Sequence, residues 1–453
     1  MNENYLLNTP LSQWLFHECV KDLPIIDYHN HLNVGALIRG KRFQNIADLW
    51  LLCDPYKHRA MRICGISERF ITGNAEAVDK FRAWMSVLPR LIGNPLYDWS
   101  VLEMKRIFDI DLVPEIADAD QVWKQTNAMI REKGYTPLSL LSEFHVEYAA
   151  PCMEITEEVS MFAGLDHLVP SMRGDSVVNV SARTIEELEE MTGMPVETLE
   201  DYFRAISIRL EEFEKAGCRF ADHALDDGFL YFPKDGKCGE LFGRVRRGED
   251  LDDTENKRLS SEILRFLAGE YGRRGWMMQL HIGAQRYTSS RLRMLTGSSG
   301  GYAGIGNCCS VRDLTRMLDD FERGKYGLPR ILLFPMNPAD NAVMSALSGS
   351  YSEDGVPGKV QQGPAWWWCD HLYGMRETFE NISSFGVLSV FIGMTTDSRS
   401  ILSFVRHEYF RRALCGWIGS KVESGEISAS REMLRKLVTD ISYFNARKLI
   451  EER

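Results

Sequence analysis

Two histidines one residue apart, His29 and His31, form the most informative pair in this chain. Alternate residues of an extended strand point to the same side, so both imidazoles can reach one metal ion. On spacing alone, two polar residues on an ordinary strand face are an equally good interpretation. The apolar run Leu23–His29 favours a ligand pair, because it predicts a buried strand that delivers both histidines at its carboxyl end.

Polar side chains also stand at the ends of later apolar runs. Asp222 closes a run near residue 220, His281 follows Met277, and Asp397 and Arg399 follow the last run. Each has an ordinary structural explanation when taken alone; Asp397, for example, can cap a helix that starts near residue 400. Their convergence on one face of a fold is harder to explain that way, and predicts a shared site.

The elements that must position these residues alternate along the chain. Most of the apolar runs are continuous, as in a parallel sheet buried on both faces. Helical patterns lie between them, such as residues 199–213 and a helix over 311–321 with Ser310 as its N-cap. This alternation predicts an α/β fold, a (β/α)8 TIM-like barrel. The eight predicted strands are Leu23–His29, Val146–Pro151, His167–Met172, Gly217–His223, Met277–Gly283, Arg330–Met336, Lys359–Trp367 and Leu388–Asp397.

One interval breaks the alternation. More than a hundred residues separate the first two predicted strands, and residues 81–91 and 99–108 within it look helical. We expect a helical insertion at residues 35–135 that contributes to the active site, with the barrel formed by residues 1–34 and 136–453. Segments inserted after barrel strands lie at the face where active sites form.

Composition limits the partners and the compartment. The 453 residues carry a formal net charge of −11, which argues against a nucleic-acid partner and leaves any anionic substrate to be drawn by local arginines. No apolar run approaches the roughly 18 residues that span a bilayer, and no signal-peptide core appears. The ten cysteines show no C-x-x-C spacing. We expect a cytoplasmic protein that contacts no membrane.

Several motifs in the right order resemble the uronate isomerase (glucuronate isomerase) family of the amidohydrolase superfamily. The resemblance runs from about residue 5 to the C-terminus. The motifs are residues 56–62 (YKHRAMR), 93–97 (GNPLY), 279–284 (QLHIGA), 337–341 (NPADN), 365–367 (AWW), 396–400 (TDSRS) and 406–412 (RHEYFRR).

The resemblance implies a reaction and a cofactor. The reaction interconverts an aldohexuronate and a ketohexuronate, such as D-glucuronate and D-fructuronate or D-galacturonate and D-tagaturonate, through an enediolate. The cofactor is one divalent metal ion, usually zinc, bound by residues matching His29, His31 and Asp397. The partners implied are a small sugar acid and further copies of the chain in a homo-oligomer. The resemblance also places Tyr56 and His281 in the active site. It gives Arg173, Asp222 and Arg399 roles in binding the substrate.

Proton transfer needs a base, and the residues leave its identity open. Asp397 is our first choice and Tyr56 its rival. Contact with a metal should lower the basicity of a carboxylate, which counts against Asp397. Arg173 and Arg399 are suited to clamp the substrate carboxylate, because a guanidinium pairs with it in a bidentate manner.

The sequence departs from the family pattern at three places. Pro55 stands where the family usually has a histidine before its Tyr-Lys pair, and His58 is the candidate substitute for binding substrate. Asp98 replaces a histidine, and residues 151–155 (PCMEI) replace a Thr-Thr-Asp-Asp-Pro stretch. These changes leave the metal chemistry better supported than the identity of the sugar.

Two other readings stay open. A superfamily hydrolase or epimerase can share the fold, but binuclear hydrolases usually carry a modified lysine after the fourth strand and a histidine after the sixth. Here the fourth run ends in Asp222-His223 and the sixth in residues 336–338 (MNP), which favours a single metal. A catalytically silent barrel that binds a sugar acid is the second alternative, and Pro55 and Asp98 keep it open.

Overall fold

A seven-stranded parallel sheet forms the centre of the computed structural model, which describes residues 2–165 and 167–451. The strand order is β1-β2-β3-β4-β5-β8-β9, and β6 pairs with β7 in a separate two-stranded antiparallel sheet. The strands are β1 Ile25–Asn30, β2 Val146–Glu154, β3 Ser171–Arg173, β4 Phe220–Leu225, β5 Met277–Ile282, β6 Ala284–Gln285, β7 Gly304–Ile305, β8 Arg330–Pro335 and β9 Val360–Gln362.

Helices alternate with the strands, and none in the described residues is long and apolar enough to cross a membrane. The α-helices are α1 Pro10–Trp14, α2 Val34–Ile38, α3 Ile46–Trp50, α4 Pro55–Ile63, α5 Ala77–Val87, α6 Pro95–Phe108, α7 Ala119–Lys133, α8 Pro137–Glu143, α9 Asp175–Val178, α10 Ala182–Thr192, α11 Leu199–Lys215, α12 Cys238–Arg246, α13 Asp253–Arg274, α14 Ser290–Thr296, α15 Val311–Glu322, α16 Asn341–Ser350, α17 Leu372–Phe385, α18 Val405–Glu423, α19 Arg431–Thr439 and α20 Asn445–Glu451.

The predicted α/β barrel is confirmed, but its eighth strand is not a regular strand. Residues 391–398 run beside β1, where Asp397 N–H donates to the His29 carbonyl at 3.0 Å and His31 N–H donates to the Ser398 carbonyl at 2.9 Å. A regular ladder is prevented at Gly393, whose φ is 85° and where a Cβ would lie 2.0 Å from the Ile441 carbonyl oxygen.

Side chains complete the closure of the barrel on both sides of this segment. Toward β9, the Ile392 N–H donates to Gln361 Oε1 at 3.0 Å. Toward β1, the Thr395 hydroxyl accepts from the His29 N–H at 2.9 Å. The barrel is therefore closed, with side-chain hydrogen bonds replacing part of the backbone ladder.

Two other predicted strands are shorter than expected. The third keeps only Ser171–Arg173, directly after Pro170, and the seventh keeps only Val360–Gln362, ahead of Pro364. Proline has no N–H to give to a ladder, so both limits have a local cause. The predicted helix over 311–321 is confirmed as α15, with Ser310 accepting a hydrogen bond from the Asp313 N–H.

The long interval between β1 and β2 is helical from α2 to α8. It packs back onto the barrel helices: Arg106 of α6 makes a bidentate ion pair with Glu408 of α18, at 2.7 and 2.8 Å. The start of α4, at Pro55 and Tyr56, reaches the mouth of the barrel. This helical segment therefore forms one wall of the site.

Candidate active site

A cavity of about 400 Å³ opens at the carboxyl ends of the barrel strands, a size typical of small-molecule sites. Residues from β1, β2, β3, β4, β5 and the segment 391–398 converge on it. Its lining includes His29, His31, Pro55, Tyr56, Cys152, Glu154, Arg173, Asp222, His281, Arg286, Ser299, Trp366, Trp367, Asp397 and Arg399.

His29, His31 and Asp397 meet at one point of this cavity. Asp397 Oδ1 lies 3.2 Å from His29 Nε2 and 3.1 Å from His31 Nε2. Nitrogen and oxygen ligands about 2.0–2.2 Å from one zinc ion at tetrahedral angles stand about 3.3–3.5 Å apart, close to these distances. Two imidazoles and a carboxylate are also a donor set that suits a divalent transition metal. The three residues fit a metal site.

A buried carboxylate beneath the site fixes the alignment of the two elements. Asp27 accepts from the hydroxyls of Thr395 and Thr396 at 2.5 and 2.6 Å, and from the Thr396 N–H at 3.0 Å. Burial would raise the pKa of Asp27, but His407 and these hydroxyls hold it below its ordinary value. This ionised side chain holds Asp397 opposite the histidines. Asp397 itself has φ 47°, a left-handed conformation that aspartate tolerates better than most residues.

The charges of Asp397 and His281 follow from their contacts. Burial would raise the pKa of Asp397, but hydrogen bonds from His29 and His31 hold it well below its ordinary value. Burial, with His29 adding to it, lowers the pKa of His281 well below 6.5. Asp397 is therefore ionised and His281 is neutral at neutral pH, so both offer lone pairs to the cavity.

Asp222 and His281 form a second group of donors beside the first. One donor atom from each of His29, Asp222 and His281 lies within 4.8 Å of the others. Asp222 Oδ2 is 3.9 Å from His281 Nδ1 and also 3.9 Å from Arg173 Nη1, whereas the buried Asp222 Oδ1 has no hydrogen-bond partner among the described residues. Asp222 lines the cavity, so this carboxyl group lies beside any bound molecule.

The two predicted arginines differ in their surroundings. Arg173 at the end of β3 is 2.9 Å from Asp175 and 3.4 Å from Glu154, so carboxylates already balance its charge. The exposed Arg399 donates from Nη2 to the neutral Ser299 hydroxyl at 3.2 Å. Arg399 is therefore the better placed of the two to pair with an incoming carboxylate.

Tyr56 and His58 lie on α4 but face different ways. Tyr56 lines the cavity, and its buried hydroxyl has no hydrogen-bond partner in the described part of the chain. Burial together with Asp397 raises the pKa of Tyr56 well above 10. His58 is buried too but lies outside the cavity lining. Residues two apart on a helix are about 200° apart around its axis. The interpretation of His58 as a substitute for the missing histidine before Tyr56 is therefore not supported by the geometry.

Sequence reasoning missed three parts of the cavity wall. Cys152 lies on β2 with its Sγ 3.4 Å from His29 Nδ1. Arg286 pairs with Asp226 at 2.7 Å and its guanidinium stacks 5.6 Å from the Trp367 ring. Ser299 comes from the glycine-rich stretch 297–306. The only advance signals were the departure from the family at 151–155 and the unusual composition of that stretch.

A buried ion pair between Arg406 and Asp370 packs against the Tyr56 ring. The Arg406 guanidinium lies 4.6 Å from the centre of the Tyr56 ring and 3.3 Å from Asp370 Oδ2. Burial, opposed by Arg406 and reinforced by Asp397, raises the pKa of Asp370 to about 7. Ionising Asp370 in the folded state is thus costly.

The free energy of unfolding should therefore depend on pH through the ionisation of Asp370. Its acid form is favoured in the folded protein, so stability from this group is fully present below pH 3.8 and is lost as the pH rises to about 7. The slope is at most about 1.4 kcal/mol per pH unit. We expect the Tm of Asp370→Asn to rise relative to that of the parent as the pH increases from about 4 to about 7, and the difference to level off above that range. Thermal melts at several pH values check this, with the exposed Asp354→Asn as control; a parallel pH dependence in Asp370→Asn and parent would contradict it.

A parallel barrel with acids, imidazoles and arginines gathered at the strand ends defines a TIM-barrel enzyme. The sequence profile of glucuronate isomerase matches residues 1–450. The uronate isomerases of Bacillus licheniformis and Caldicellulosiruptor bescii are each 37% identical over 457 aligned residues, covering 99% of this chain and 96% and 98% of theirs. The chain belongs to the glucuronate isomerase family and is an isomerase.

Solved structures agree with this assignment. The uronate isomerase of Thermotoga maritima superposes with a TM-score of 0.92 at 29% identity, covering 99% of both chains. The glucuronate isomerase of Caulobacter crescentus superposes with a TM-score of 0.90 at 22% identity, covering 100% of this chain and 98% of that one, and shows the shared fold.

Proposed function

We propose that this chain isomerises an aldohexuronate to the matching ketohexuronate through an enediolate, with one divalent metal ion. The observation that carries this proposal is the meeting of His29, His31 and Asp397 in one cavity that Arg399 also lines. Family membership supports the same reaction type. D-Glucuronate and D-galacturonate are the substrates to test first.

The metal ion would be held by His29, His31 and Asp397, and zinc is the ion we favour. When bound, such an ion polarises the substrate oxygens next to the reacting carbons. Asp222 and His281 lie beside this position with a free carboxylate oxygen and a neutral ring. They can hold the hydroxyls of the sugar through hydrogen bonds.

The reaction moves one hydrogen from C2 to C1 and one proton from the C2 hydroxyl to the C1 oxygen. Asp397, ionised and central, takes the C2 proton and returns it to C1. The Tyr56 phenol stays protonated because its pKa is raised, so it acts as a hydrogen-bond donor to a developing oxyanion. The aromatic wall formed by the buried Trp366 and the half-buried Trp367 limits the water that can reach the intermediate.

Arg399 is expected to bind the substrate carboxylate. A hydrogen bond to a charged group contributes about 1.5–3 kcal/mol, so Arg399→Met should raise KM about 10- to 100-fold with a smaller effect on kcat. Steady-state kinetics on both uronates measure this. Arg312→Met, at another exposed arginine, is the matched control. A KM within about twofold of the parent would show that another group holds the carboxylate.

The proposal as a whole is tested by product formation. Metal-depleted protein is incubated with each uronate, with and without zinc or manganese, and ketouronate is quantified by chromatography. We expect product from at least one uronate, restored by metal after depletion. Full activity in the depleted protein would remove the metal from the proposal, and release of a hydrolysis product would replace the isomerase by a hydrolase.

A further inference from the structure

Cys152 is a cavity residue that the proposed mechanism leaves unused. It lies on β2, and its Sγ is 3.4 Å from His29 Nδ1 and 4.0 Å from His29 Nε2. One donor atom from each of His29, His31 and Cys152 lies within 4.8 Å of the others. The His29 nitrogen that faces Asp397 is Nε2, so the separation that matters for a shared ion is 4.0 Å. A sulfur and a nitrogen bound to one zinc ion at about 2.3 and 2.0–2.1 Å stand about 3.6 Å apart, so Cys152 Sγ would move about 0.4 Å closer to Nε2 on binding.

We propose that Cys152 is itself a ligand of the metal ion, beside His29 and His31. This inference rests on the proposed function for the presence of a metal in the cavity. On binding, the S–H bond breaks, the proton passes to solvent, and the thiolate sulfur forms a bond to the ion in place of a water molecule. Nothing is oxidised or reduced in this exchange.

A second observation shows that the cavity offers more donors than the three central residues. Within residues 2–165 and 167–451, the buried Asp222 Oδ1 has no hydrogen-bond partner, and the residue is only 1% exposed. Asp222 groups with His29 and His281 as another set of donors. A cation in this cavity therefore meets donors on the β2 and β4 sides as well as at β1. The sulfur is the soft member of this set.

A thiolate changes which ion the site prefers. Sulfur ligands favour zinc and cobalt over manganese and magnesium, which prefer oxygen. The chain should therefore bind zinc or cobalt much more tightly than manganese. The competing account is a hydrogen bond from the Cys152 thiol to His29 Nδ1, in which the sulfur only orients the ring. Loss of such an outer partner already costs about 10- to 100-fold in metal affinity, so affinity alone does not separate the two accounts.

The absorption spectrum of the cobalt-loaded protein distinguishes a Cys152–metal bond from a hydrogen bond between Cys152 and His29. Metal-depleted, reduced protein is titrated with Co²⁺ without oxygen, and the visible cobalt bands are followed together with the near-ultraviolet band of thiolate-to-cobalt charge transfer. We expect the near-ultraviolet band to saturate with one equivalent of cobalt. In Cys152→Ser it should be lost while the visible bands remain. The double variant Cys308→Ser and Cys309→Ser, at an exposed and a half-buried thiol, should keep it.

X-ray absorption of the zinc-loaded parent adds a measurement that needs no variant, with a sulfur neighbour expected at about 2.3 Å. Cobalt uptake without the near-ultraviolet band, or a band that survives in Cys152→Ser, would overturn the inference. If the cobalt-loaded protein isomerises a uronate but lacks the near-ultraviolet band, the assignment of Cys152 as a ligand is wrong and the proposed function stands. A band in a protein that converts neither uronate supports the ligand and overturns the proposed function.

Discussion

Replacing His29 by asparagine is expected to remove both the bound metal and the isomerase activity. His29 is 1% exposed, and its Nε2 is 3.2 Å from Asp397 Oδ1, so it is a central donor of the proposed metal site. A metal that polarises reacting oxygens supplies several kcal/mol, which corresponds to a loss of kcat/KM of about 10³-fold or more.

The His29→Asn variant is measured by metal content and by steady-state rates on the preferred uronate. His167→Asn, at an exposed histidine outside the cavity, is the control and should keep both properties. A His29→Asn protein that holds stoichiometric zinc and turns over at the parental rate would remove His29 from the metal site.

Asp397→Asn is expected to lower kcat by about 10²- to 10⁴-fold, the range that a general base contributes. Tyr56→Phe should lower kcat by less than about tenfold, because a phenol with a raised pKa donates a hydrogen bond but does not accept the proton from C2. The low pKa of Asp397 makes it a weak base, so its advantage lies in position.

The comparison of the two variants needs matched metal loading, because Asp397 also belongs to the proposed metal site. Rates are therefore expressed per bound zinc, and exchange of the C2 hydrogen with solvent is followed in each variant. A fully loaded Asp397→Asn protein that still exchanges this hydrogen, together with a Tyr56→Phe protein that does not, would reverse the two roles.

Local patterns in the sequence predicted much of the barrel and the centre of the cavity. Alternate side chains of one strand share a face, so the pairing of His29 with His31 follows from spacing. Continuous apolar runs marked the buried strands, and Ser310 marked the start of α15. The prolines that shorten the third and seventh strands were visible in the sequence as well.

Other features depend on contacts between distant parts of the chain. The last segment is not a regular strand because Gly393 lies against the Ile441 backbone, 48 positions further along the chain. Cys152 lies on a different strand from His29, and a cysteine in the sequence does not by itself indicate that the two side chains are in contact. The orientation of His58 was predictable in principle, since helical geometry turns it away from the face that carries Tyr56.

The most direct test of the central claim follows the hydrogen itself. The zinc-loaded protein is incubated in deuterium oxide with D-glucuronate or D-galacturonate, and both sugar acids are followed by NMR. Proton transfer through an enediolate predicts a ketouronate, which carries solvent deuterium at C1 in every turnover in which the proton held by Asp397 exchanges with solvent before it is returned. The absence of any ketouronate from both sugars, in a protein shown to hold its metal, would contradict the assignment.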